Sequence, residues 1–114
     1  MRVLIIGAGR TGTRVIRQLK KNPEIEIITA DPRQELYAVE QGVIDAVNIR
    51  EALTPLTLEK VLSESRPDLV LLAMPAEDME LGKAPGIDIL AEALREELAA
   101  LAKVPLIEVA RGSR

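Results

Sequence analysis

The segment Gly7-Ala8-Gly9-Arg10-Thr11-Gly12 sets three glycines at the spacing G-x-G-x-x-G. A continuously apolar run precedes it, and an amphipathic stretch follows at once. In that setting each glycine has its own task. Gly7 permits a tight turn out of a strand, Gly9 lets the backbone approach a pyrophosphate, and Gly12 lets the next helix lie close to the strand. The unsatisfied N–H groups and positive dipole end of that helix then face the phosphates. The Thr11 hydroxyl either donates to a phosphate or caps the helix, and Arg10 faces solvent or the edge of a ligand.

Asp31 stands 19 positions beyond Gly12, at the end of the second apolar run. A carboxylate there accepts hydrogen bonds from the hydroxyls of an adenosine ribose, and its charge repels a 2′-phosphate. The pattern therefore favours NAD over NADP. Arg33 points the other way, because an arginine just past the second strand is what accommodates a 2′-phosphate. Asp31-Pro32 is also a turn sequence, which would leave Arg33 solvated. AMP, ADP and ATP present the same ribose and phosphate chemistry and stay within the expected ligand class.

Other residues carry weaker signals. Ala73 closes the fourth predicted strand and Met74 follows it, where an open parallel sheet holds its ligand, and both are expected to line the adenine or nicotinamide-ribose side unless they form a plain strand exit. Glu77, Asp78 and Glu80 have the spacing of metal ligands. Three carboxylates on a loop without histidine read better as solvated charge, so no metal is expected. Lys83 reads as a solvated loop lysine. Tyr37 could donate a proton in a reductase, but the lysine expected four positions later is Gln41. It reads instead as packing on the second helix. No catalytic residue is assigned.

Composition removes whole classes of chemistry. The chain has no cysteine and no histidine. Disulfides, thiol nucleophiles, Ser-His dyads and imidazole metal ligands are thereby excluded. Its net charge of −3 argues against general binding to nucleic acid. The 114 residues suit one domain over residues 1–114. Tyr37 is the only aromatic residue, so the core must be aliphatic. Few Asn and Gln residues with many Glu and Arg fit a thermophile source. The apolar run at residues 3–6 is far too short to cross a bilayer, and the expected compartment is the cytoplasm.

The elements that must position these residues alternate along the chain. Strands are predicted over residues 2–6, 24–30, 43–49, 69–73 and 106–109. Helices are predicted over 11–21, 32–41, 57–64 and 87–103, with Thr57 as an N-cap. In the last of these, Ile87, Leu90, Ala91, Leu94, Leu98 and Leu101 fall on one face of a 3.6-residue period. Such alternation predicts an α/β, three-layer Rossmann-like fold with a five-stranded parallel sheet, order 3-2-1-4-5, and helices on both faces.

The stretch MRVLIIGAGRTGTRVIRQLKKNPEIEIITAD resembles the start of NAD(P)-binding Rossmann domains. Within that superfamily the chain most resembles the TrkA-N, or RCK N-terminal, lobe that regulates potassium channels and transporters. The ending VPLIEVAR after a long helix also echoes that family. Asn48-Ile49-Arg50 stands where the family usually has a Gly-Asp pair, and the loop over residues 74–86 is longer than usual. The stretch RPDLVLLAMP is equally similar to the fourth strand of saccharopine-dehydrogenase-like or reductase Rossmann domains. The resemblance implies a regulatory NAD sensor or cofactor-carrying module without catalysis of its own. The alternatives are the cofactor-binding part of an NAD(P)-dependent oxidoreductase and an S-adenosylmethionine-binding domain. An exposed last strand further predicts a homodimer or a partner protein at that edge.

Overall fold

A computed structural model describes residues 1–51, 55–73, 93, 96–97, 100 and 104–109. Among the described residues the elements are β1 (Arg2–Ile6), α1 (Arg10–Leu19), β2 (Glu26–Ala30), α2 (Tyr37–Glu40), α3 (Pro55–Ser65), β3 (Leu69–Leu72) and β4 (Leu106–Glu108). All strand pairs are parallel, in the order β2-β1-β3-β4.

Burial explains the sequence of β1. Successive side chains of a strand point to opposite faces. Val3 and Ile5 pack on one face with Ile16 of α1, Leu36 and Ala38. Leu4 and Ile6 pack on the other with Val61 of α3, Val70 and Leu72. Apolar matter covers both faces, so β1 is apolar without alternation. The helices α1 and α2 lie on one side of the sheet and α3 on the other, which makes three layers. The Rossmann-like α/β architecture is thus as the alternation predicts. Among the described residues no helix is long and apolar enough to cross a membrane.

Three local expectations are corrected. The predicted third strand over residues 43–49 reduces to one parallel bridge, Ala30 to Ile49, beside the outer edge of β2. Its place in the order 3-2-1-4-5 is kept, but its ladder is not formed. The Asn48 side chain is the cause: its Oδ1 accepts from Thr29 N at 2.9 Å and from Thr29 Oγ1 at 3.2 Å. A side chain thereby takes the amide that a strand backbone would have paired. The second helix, predicted over residues 32–41, shrinks to Tyr37–Glu40. The backbone after Pro32 is held instead by Asp31, and Leu36 is extended at φ −127°. Lastly, α3 begins at Pro55 and not at a Thr57 cap. Proline suits the first helical position because its fixed φ is helical and its missing N–H would have no partner there.

The predicted fourth and fifth strands are β3 and β4. Of the predicted helix over residues 87–103, Ala93, Glu96, Glu97 and Ala100 are described, all helical and exposed. The remainder of that helix, Met74, the acidic trio and Lys83 lie outside the described residues.

Candidate functional site

In a parallel sheet every strand ends at the same edge. The chain leaves β1 towards β2 and later returns to β3 on the other side of β1. The crevice outside the carboxyl ends, at this reversal, is where open α/β sheets hold ligands. The glycine loop leaves β1 at that point.

Gly7 has φ +112°, a conformation side chains rarely adopt, and its N–H donates to Ala30 O at 2.8 Å. The turn is thus pinned to the end of β2. Gly9 is the N-cap of α1 and supplies no side-chain cap. Its carbonyl accepts from Thr13 N at 2.8 Å and from Thr13 Oγ1 at 2.7 Å. Since the helical ladder starts at Thr13 N, the N–H groups of Arg10, Thr11 and Gly12 precede any intrahelical acceptor. The first turn contains no acidic residue. These features together leave the positive end of α1 open to an anion.

Gly12 sets how closely α1 approaches. A Cβ there would lie 1.9 Å from Gly7 O, a backbone atom that cannot move aside cheaply. Arg10 is exposed, and its guanidinium carbon lies 5.0 Å from the centre of the Tyr37 ring, a cation–π distance. Thr11 is half-buried in the first turn. Ala73 is buried at the end of β3 and donates its N–H to Ile6 O at 2.8 Å.

Asp31 is the centre of this edge. Its side chain is 0% exposed. Oδ2 accepts from Ala8 N at 2.9 Å and from Arg33 Nη2 at 2.6 Å. Oδ1 accepts from Arg33 N at 3.0 Å and from Arg33 Nε at 2.9 Å. Burial alone pushes its carboxyl pKa up and is the largest single influence. The Arg33 side chain, the Ala8 and Arg33 N–H groups and the nearby positive charge together outweigh it, and hold the pKa below the ordinary aspartate value.

The structure therefore gathers Gly7, Gly9, Arg10, Thr11, Gly12, Asp31 and Arg33 around one loop, with Ala73 at the neighbouring strand end. Sequence reasoning missed Ala8, whose N–H binds Asp31 and whose carbonyl accepts from Ala38 N at 3.0 Å. Alanine has no polar side chain, so nothing in its type signals a role played by its backbone. The pairing of Arg33 with Asp31 was missed too. Its signal was the i, i+2 spacing of opposite charges around a proline turn.

The family model of the TrkA-N domain matches residues 3–104. This chain belongs to the TrkA-N domain family. The same family is the one that the glycine loop and Asp31 resembled in sequence. A TrkA-N domain of this kind is an NAD(P)-type nucleotide-binding Rossmann domain. Among curated proteins no sequence matches. Among solved structures, a UDP-glucose 4-epimerase crystallised with UDP-glucose, from the hyperthermophilic eubacterium Thermotoga maritima, is similar in fold. It shares 20% identity and a TM-score of 0.63 over 98% of this chain. The present chain spans only 38% of that protein's length.

Proposed function

We propose that this TrkA-N domain binds NAD at the carboxyl edge of its sheet and acts as a regulatory sensor or cofactor-carrying module, with no catalysis of its own. One observation carries the reading: the uncapped N-terminus of α1 and the buried Asp31 meet at the same loop, joined by the Ala8 N–H bond of 2.9 Å. A dinucleotide needs both, an anion site for its pyrophosphate and an acceptor for its ribose. Gly7, Gly9, Arg10, Thr11 and Gly12 would surround the phosphates. Asp31 and Arg33 would meet the adenosine ribose, and Ala73 the neighbouring wall. NADP and the adenine mononucleotides are secondary ligands in this reading. The absence of histidine and cysteine from the chain supports binding without turnover.

Calorimetric titration with NAD tests this. The parent should bind, and Gly9→Val should lose at least tenfold in affinity while keeping its circular dichroism, because an added side chain stands between backbone and phosphate. Equal affinity in the two would remove the loop from the site.

A sensor must report to something. β4 is the last strand of the described sheet, and Ile107 on it is 52% exposed. We infer a homodimer or partner contact through this edge, because among the described residues β4 ends the sheet and edge strands invite pairing. Light scattering over a concentration series should show a mass of two chains, and Ile107→Lys should return it to one.

A further inference from the structure

An ionised carboxylate offers about four lone-pair positions, two on each oxygen. At Asp31 four donors fill them. Oδ1 takes Arg33 N and Nε, and Oδ2 takes Ala8 N and Arg33 Nη2. Two of these donors are backbone groups, fixed by the glycine loop and by the turn at Pro32. The other two belong to one side chain. They sit one on each oxygen, as the fork of an arginine does on a carboxylate. Arg33 keeps 20% of its side chain in solvent while Asp31 keeps none. The guanidinium is therefore the outer cover of the carboxylate.

A ribose cis-diol would approach the same group with the same pattern, two O–H donors side by side. Asp31 has no acceptor position left for it while Arg33 stays in place. We propose that Arg33 is a built-in competitor for the ribose, a clip that holds the Asp31 acceptor sites until the diol of an adenine nucleotide displaces it. The inference rests on the reading of this edge as an NAD-type site. Displacement exchanges two charge-assisted N–H bonds for two O–H bonds and leaves Ala8 N and Arg33 N on the carboxylate. The freed guanidinium remains tethered two residues from Asp31. A ligand with a 2′-phosphate gives it a new anionic partner, whereas NAD brings no 2′-phosphate to receive it. The clip thus weakens NAD binding and narrows the preference for NAD over NADP that the Asp31 charge would otherwise impose.

The test is calorimetric titration of NAD and NADP onto the parent, Arg33→Ala and Arg33→Lys. Removing the clip should tighten NAD about fivefold, the net difference between the two charge-assisted N–H bonds lost and the two O–H bonds gained, and should weaken NADP. Arg33→Lys should fall between, since an ammonium is a point charge that cannot span both oxygens. An arginine that serves only a 2′-phosphate would leave NAD affinity unchanged in Arg33→Ala. One that only attracts the pyrophosphate would make that variant bind NAD more weakly. Either result overturns the clip. The ¹⁵N resonance of Arg33 Nε gives a readout independent of affinity. Its proton should exchange slowly in the free protein and fast once NAD is bound, and slow exchange in the complex would also overturn the clip. If parent and variants alike bind neither nucleotide, the reading of the edge itself fails and the clip falls with it. That outcome is distinct from a parent that binds with an unchanged Arg33→Ala.

Discussion

Two arginine–carboxylate pairs sit at opposite ends of the same sheet. At the carboxyl end Arg33 meets Asp31 at 2.6 Å, and at the amino end Arg2 meets Glu26 at 2.7 Å. The distances are nearly equal, but the surroundings are not. Asp31 is wholly buried and Arg33 largely so, whereas the side chains of Arg2 and Glu26 are 37% and 58% exposed. Arg2 and Glu26 are direct cross-strand neighbours on β1 and β2, each the first residue of its strand. Arg2 also donates Nη1 to Ser65 O at 3.0 Å, and its N–H to Asp68 Oδ2 at 2.8 Å. This concave amino end, lined by Met1, Arg2, Glu24, Glu26, Arg66 and Asp68, mixes both signs of charge in open solvent. The comparison teaches that an ion-pair distance says little until burial is known. In water the attraction is screened and side-chain entropy offsets it. Under the glycine loop the same attraction must balance the cost of removing a carboxylate from water.

The largest effect expected is at the carboxyl end and involves no charge. Gly12→Ala drives a methyl group into Gly7 O, so α1 must shift away from the loop. Equilibrium urea unfolding should show a loss of about 3 kcal/mol, at the upper end of overpacking costs. A loss below about 0.5 kcal/mol would mean that the loop and helix are looser than their contact implies.

Next comes the buried pair. Asp31→Ala removes the acceptor of Ala8 N and of three Arg33 donors, and should cost about 2 kcal/mol, because Arg33 can still reach water. Its pH dependence follows from the direction of the shift. The folded-state pKa lies below the unfolded value of about 3.9, so the stabilisation is full above the unfolded pKa. It is lost as pH falls through the folded one. Urea midpoints between about pH 5 and pH 2 should therefore fall more steeply for the parent than for Asp31→Asn. Parallel curves would break the contrast between the two pairs.

The smallest effect belongs to the exposed pair. Glu26→Ala should cost less than about 0.5 kcal/mol, and raising salt from about 0.1 M to 1 M should erase that difference. A larger, salt-resistant loss would show that the amino end is drier than its exposure suggests.

Much of the candidate site was legible in the residues alone, for a local reason. An unbroken apolar run, three glycines at fixed spacing and an amphipathic helix are each specified within a few residues of chain. They place a phosphate-type loop at the end of β1 before any long-range contact is known. The same alternation sets the strand order, because parallel strands joined by right-handed crossovers have few ways to neighbour one another. Asp31 could be placed at the end of β2 for that reason, but its partners could not. Residues 43–49 carry strand-forming valine and isoleucine, yet they make one bridge. The packing of β2 put Thr29 within reach of the Asn48 side chain, and a local propensity of a few tenths of a kcal/mol yields to such a bond. Likewise only the folded chain brings the Ala8 amide, 23 residues away in sequence, onto the Asp31 carboxylate. The sequence alone determined which strand ends the candidate residues occupy. The tertiary structure decided which of them are already paired, because a hydrogen bond between distant residues depends on the closeness of two elements, and neither element encodes that by itself.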